Sequence, residues 1–331
     1  MKRHNRLRTL AAAGLLVCVT ACGGAPSSST DDDSDGLTKV NLTVLPIANV
    51  APVQLAIDQG FFADEGLDVT VSYATTGAAI VPGVLNGSVD IGYTNLPAIM
   101  LAGGEGLPLV SIASGDANAP KVTERDNSAV IVRKDSGITD AAGLDGKTVA
   151  VNALGGLIYV LTRASADALG GDSSTTDFAE IPFPDMLGAL QDGRIDAASV
   201  VEPFLTIALK SGDFSSVLNT GSIGGTQPGL VYNTYFTSEQ TLKAKPDVIE
   251  GFQSAIYAAN AYASENEEDV RAAIGEYTET DPALLDKIRL VSWPDSKVTE
   301  ENYNTLVSLM EEYGLITDAT EVPSYDEFIL G

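Results

Sequence analysis

Nucleophilic catalysis usually needs an imidazole or a thiolate, and this chain keeps almost none of either. It has one histidine and two cysteines in 331 residues, and all three, His4, Cys18 and Cys22, fall within the first 22 positions. The remainder has no base for a Ser–His or Cys–His mechanism and no imidazole or thiolate ligand for a metal. It also has no disulfide. What is left is carboxylate, lysine and tyrosine chemistry, together with neutral hydrogen bonding. No metal site and no cofactor is expected.

Among those groups Glu202 stands out, because it closes the strand pattern IDAASVV (195–201) and precedes Pro203. A carboxylate shut inside a cleft without a partner costs several kcal/mol, so Glu202 in such a place predicts ligand donors or a nearby arginine. The alternative is a conformational role at a corner of the chain. NALGG (152–156) places Gly155 and Gly156 at the opening of a helix, where exposed backbone N–H groups can hold an anionic or carbonyl oxygen. The alternative there is a helix start that needs only flexibility. Asn49, Thr75, Thr76, Thr94, Asn95 and Asn152 occupy comparable turns after strands, and Tyr73, Tyr93 and Tyr232 can supply flat walls or core. None of these is lysine or arginine, so plain nitrate fits poorly. A ligand with an amine or ring N–H at one end fits better.

These residues are carried by alternating strand and helix patterns. Val40, Leu42 and Val44 repeat at period two, then Pro52 opens PVQLAIDQG with Val53, Ala56 and Ile57 at helical spacing. Strands follow near 67–71, 89–93 and 107–113, with helices near 78–86 and from Pro97. A second series runs through AVIVRK (129–134), KTVAV (147–151), a helix bearing Leu157, Leu161, Ala164 and Ala168, DFAEI (177–181), a helix near 184–192 and IDAASVV. This order predicts mostly parallel sheets. From Pro246 the pattern turns to long helices of the kind that cover a finished sheet. LNGSVDIGYTNLP (85–97) and LQDGRIDAASVVEP (190–203) repeat one another, each with proline seven residues after an aspartate, Asp90 and Asp196. Both aspartates are read as turn caps.

At the N-terminus Lys2, Arg3, Arg6 and Arg8 precede an apolar run from Leu10 to Ala21, the layout of a secretory signal peptide. That run is too short for a permanent membrane-spanning helix. It closes on VTAC and Gly23, which resembles the lipobox of bacterial lipoproteins and implies acylation of Cys22. Expected segments are a signal peptide at 1–21 and a tether at 22–37, whose GGAPSSSTDDDSDGL cannot bury enough surface to fold. Removing residues 1–21 takes away four of the 19 basic residues and none of the 45 acidic ones, so 15 remain against 45. Such a surface repels nucleic acid.

The chain resembles the substrate-binding proteins of nitrate, sulfonate, taurine and thiamine-precursor ABC importers. LAIDQGFFADEGLDVTV (55–71), LNGSVDIGYTNLP (85–97), LDGKTVAVNALGGLIYVL (144–161) and ALQDGRIDAASVVEPF (189–204) carry the likeness. It implies an α/β fold, the two-lobed type II periplasmic binding protein, with a sheet flanked by helices in each lobe and a ligand cleft between them. Lobe one would comprise 38–126 plus 232–331 and lobe two 127–231. The resemblance places Glu202 facing the cleft and implies a monomer that captures a small molecule, meets an ABC importer permease and reaches the bilayer through Cys22. Rival readings are the binding module of a sensor system and a carboxylate-based enzyme. The pyrimidine-forming enzyme of thiamine synthesis shares the superfamily fold but consumes an active-site histidine, and this chain has none after His4.

Overall fold

A computed structural model describes residues 36–118, 126–221 and 229–330. The expected signal peptide, Cys22 and the tether up to residue 35 lie outside the described residues.

The first sheet contains β1 (Thr38–Val44), β2 (Leu67–Tyr73), β3 (Ile91–Asn95) and β4 (Leu109–Ala117). The second contains β5 (Ser128–Arg133), β6 (Thr148–Val151), β7 (Asp177–Glu180), β8 (Ala197–Val201) and β9 (Phe214–Asn219). β10 (Val231–Ser238) returns to the first sheet. The strand orders are β2-β1-β3-β10-β4 and β7-β6-β8-β5-β9, so the two sheets repeat one plan. Between the strands lie α1 (Ala51–Asp58), α2 (Phe61–Asp64), α3 (Val81–Asn86), α4 (Leu96–Gly104), α5 (Leu157–Ala168), α6 (Phe183–Gln191) and α7 (Phe204–Ser211). α8 (Glu239–Ala244), α9 (Pro246–Glu265) and α10 (Glu267–Thr278) follow β10, and a further helix spans Glu300–Glu312.

The sheets are mixed but mostly parallel, as the strand and helix order predicts. In each of the five-stranded sheets four strands run the same way and one runs against its neighbours: β10 pairs antiparallel with β3 and β4, and β5 with β8 and β9. The reason is the connection. A parallel neighbour is reached through a crossover helix, whereas β5 and β10 arrive directly from the other sheet and enter from the opposite end.

α9 shows why the helices sit where they do. Val248, Ile249, Phe252, Ala255, Ile256, Ala259 and Ala263 are buried at three- and four-residue spacing, a single apolar stripe. Phe252 in that stripe stacks on Phe62 of α2 with centroids 5.5 Å apart and meets Tyr235 of β10 edge-on at 5.2 Å. The internal repeat also has a structural meaning. Asp90 Oδ2 accepts the Asn41 amide at 2.8 Å, and Asp196 Oδ2 accepts the Thr148 amide at 2.9 Å. Each aspartate thus ties the third parallel strand of its sheet to the first, and Asp90 also takes Lys245 Nζ at 2.7 Å.

Candidate ligand-binding site

The ends of β1, β3, β6 and β8 converge where the two sheets meet, and the residues just beyond them enclose a small cavity. Leu45, Ile47 and Asn49 come from beyond β1, Asn95 from the end of β3, Asn152 from beyond β6 and Val201 from the end of β8. β5 and β10 begin where their antiparallel neighbours end, so they add Asn127 and Ser128, and Tyr232 and Asn233. Leu157 and Ile158 of α5 and Phe183 of α6 complete the wall. The enclosed volume is about 30 Å³, room for about one water.

A larger and more apolar cavity of about 460 Å³ adjoins it. Thr76, Thr94 and Gly155 line this one beside Val81, Leu85 and Ile99, and Asn95 and Asn152 line both. No lysine or arginine lines either space. Four cations, Lys210, Arg271, Lys287 and Arg289, gather instead around a third cavity of about 480 Å³ that shares no residue with the other two.

Asn95 joins the two halves. Its Oδ1 accepts the Ala98 amide at 3.0 Å, capping α4, and also the Leu157 amide at 3.2 Å, in the first turn of α5. The side-chain oxygen is therefore spent, and the Nδ2 donor is left. Gly156, the residue before α5, passes so close to this amide that a Cβ there would lie 3.3 Å from Nδ2. Asn49 and Asn152 show the converse: both are buried, and each Oδ1 is without a hydrogen-bond partner. The same is true of Thr94 Oγ1. Buried acceptors of this kind are costly unless something occupies them.

Behind Asn49 and Asn233 lies a group that the sequence reading did not single out. Asp116 of β4 is fully buried. Its Oδ2 accepts Asn49 Nδ2 at 2.6 Å, and its Oδ1 accepts Asn233 Nδ2 at 2.7 Å and the Tyr93 hydroxyl. Burial pushes the Asp116 carboxyl up to about 6, against the lowering effect of these three donors. The signal in the sequence is faint: one acidic residue in LVSIASGDA, a strand in which every residue is buried.

The remaining candidates fall in different places. The hydroxyl of Tyr232, which lines the small cavity, donates to the Gly221 carbonyl at 2.8 Å. Tyr93 is core, tilted against Tyr235 at 5.1 Å. Tyr73 is 46% exposed and stacks on Tyr277. Thr75 and Gly156 line neither cavity.

Glu202 is likewise absent from both cavity walls. Its carboxylate faces away into a corner, accepting Thr206 N at 3.0 Å, Thr206 Oγ1 at 2.9 Å and Arg289 N at 3.2 Å. Burial pushes its pKa up to about 7, countered in part by these bonds and by the Arg289 charge. The expected arginine is present, but the contact is made by its backbone. Glu202 holds a corner: its own carbonyl accepts the Ala48 amide at 2.9 Å, so the end of β8 is bound to the segment that leads into α1.

Among the described residues no group of three His, Cys, Asp or Glu side chains is placed to hold a metal. The chain is 25% identical over 294 residues to YtlA of Bacillus subtilis, covering 82% of this chain and 84% of that one. It is 27% identical over 172 residues to the formylaminopyrimidine-binding protein of Halalkalibacterium halodurans, which is 52% of this chain and 49% of the relative. Among solved structures, the ligand-binding component of an ABC-type import system from Staphylococcus aureus, with zinc bound, superposes with a TM-score of 0.75. That match is 15% identical and covers 88% of this chain and 96% of the other, so the fold is shared. A family model described as NMT1/THI5 like matches residues 47–270, well over half the sequence, and the chain belongs to the NMT1/THI5-like family.

Proposed function

We propose that this protein captures a small molecule outside the cytoplasmic membrane and delivers it to an ABC importer, anchored through an acylated Cys22. One observation carries the reading: polar side chains from both sheets, Asn49, Asn95, Asn152, Tyr232 and Asn233, converge on a cation-free cleft. The names of the relatives agree, one being a formylaminopyrimidine-binding protein and one a component of an ABC-type importer.

The working division is lobe one at 38–126 plus 232–331 and lobe two at 127–231. The chain crosses between them twice, and those crossings form a hinge. A ligand touched by both lobes favours the closed arrangement through its differential affinity, which lets an importer tell loaded from empty protein. The absence of a lining cation disfavours nitrate and favours a molecule with N–H donors, of the aminopyrimidine or taurine-like type.

A thermal-shift panel on residues 37–331 with aminopyrimidines, taurine, alkanesulfonates and nitrate tests this. A true ligand at a hundred times its dissociation constant adds about 2.7 kcal/mol, which is roughly five degrees for a chain of this size. A response to an N–H-bearing class is the expected result. A response confined to nitrate would overturn the ligand class, and silence across the panel would remove the support for capture of these molecules.

A further inference from the structure

We propose that Asp116 is the charge against which the cleft selects its ligand: a positioning residue that turns Asn49 and Asn233 to present acceptors and favours a positively charged N–H donor group. The inference deepens the capture reading and rests on it.

The geometry is one-sided. An ionised carboxylate only accepts hydrogen bonds, so the amides of Asn49 and Asn233 must turn their Nδ2 atoms toward Asp116, at 2.6 and 2.7 Å. Their Oδ1 atoms are then directed elsewhere. That of Asn49 is buried and without a partner, as is that of Asn152 across the cleft. The cleft lining at this end therefore includes an acceptor, Asn49 Oδ1, whose orientation is set from behind.

The carboxylate also lacks a counter-ion. The groups that act on it are Tyr93 from β3, Asn49 from the turn before α1, and Tyr232, Asn233 and Tyr235 from β10. Tyr277 acts on Tyr93, and Asp126 acts on Tyr232. None is a cation, and no ion pair among the described residues includes Asp116. A buried charge without an opposite partner is unfavourable, consistent with a carboxyl raised to about 6. A cation arriving in the cleft supplies the missing partner in a medium of low dielectric, where the attraction is strong. At the other end Asn95 keeps Nδ2 as a donor, because its Oδ1 is already shared by Ala98 and Leu157. The ligand class that satisfies both ends has a cationic N–H group on one side and an acceptor atom on the other.

Benzamidine, benzamide and benzenesulfonate are alike in size and carry charges of one sign, none and the other, each constant across the pH range used. The benzene ring suits the adjoining apolar cavity and the head group the Asn49–Asn152 end. Isothermal titration of the mature chain at about pH 8 is expected to show benzamidine binding at least tenfold more tightly than benzamide, with benzenesulfonate weakest. At about pH 5, with Asp116 protonated, that preference is expected to shrink severalfold. Asp116→Asn should abolish the preference for benzamidine over benzamide at both pH values. If Asp116→Asn fails to fold, the wild-type pH series is compared with that of Glu202→Gln, which removes the other carboxyl raised into this range, and the pH effect is expected to survive in it. A purely structural role would weaken all three probes alike. Benzenesulfonate equal to or tighter than benzamidine, a preference indifferent to pH, or no benzamidine binding at about 10 mM would each overturn the inference. None of those results touches the capture reading, which the separate ligand panel tests.

Discussion

Replacing Glu202 with alanine removes a fully buried carboxylate that accepts from Thr206 N, Thr206 Oγ1 and Arg289 N at 2.9–3.2 Å. Each donor is then left without this acceptor, at about 1 kcal/mol for a neutral bond and up to about 3 where the acceptor is charged. The desolvation that lifts the carboxyl from 4.5 to about 7 offsets part of this. A raised folded-state value means that the folded protein holds the proton more tightly than the unfolded chain. The associated stability is complete below about pH 4.5 and is lost as pH rises through 7, a swing of about 3 kcal/mol. Glu202→Ala should therefore cost about 2–5 kcal/mol near pH 5, or roughly 4–10 °C in melting temperature, and much less near pH 8. Calorimetric melts of wild type and variant at both pH values measure this, and a ligand-induced shift measured alongside should persist. An unchanged melting temperature at pH 5 together with loss of every ligand response would refute the corner role. It would return Glu202 to the cleft.

Two further outcomes follow from the site and the N-terminus. Asn95→Ala removes both the cap of α4 and the bond to Leu157 that joins the halves. It should lower stability by about 1 kcal/mol and, on the proposed hinge, raise the radius of gyration in solution scattering, because a bond between the halves is lost. Cys22→Ser in cells expressing the whole chain should move the protein from the membrane fraction to the soluble one. Retention in the membrane would argue against acylation there.

What the sequence reveals depends on whether a residue's role is local. β1 and α1 were legible because one alternates in burial and the other carries proline at its first turn. The places of Asn49, Asn95 and Asn152 at strand ends were legible because a polar residue just after a strand is a short-range pattern. β10 was not, since VYNTYFTS is buried along its whole length and has no period. Its threonines are tolerated only because Thr234 Oγ1 and Thr237 Oγ1 reach the carbonyls of Ala113 and Asp90. Asp116 was missed for the same reason: Asn49, Tyr93 and Asn233 lie 67, 23 and 117 positions away. Glu202 was placed correctly at a strand end, but the direction of its side chain depends on an amide 87 residues further on.

The shared strand order puts the candidate site beside the links between the sheets. In each sheet the reversed strand begins where its antiparallel neighbours finish, so Asn127 and Ser128 in one sheet and Tyr232 and Asn233 in the other, which line the small cavity, stand directly after the segments that link the sheets. A ligand at the strand ends, the usual place in open α/β sheets, must then touch chain whose position is set by the link. Tyr232 makes this concrete, for it lines the cleft while its hydroxyl holds the Gly221 carbonyl just beyond β9. Asn233 does so from the other side, holding Asp116 in place while it lines the same space. In the proposed hinge, occupancy and lobe angle would be coupled through these few residues.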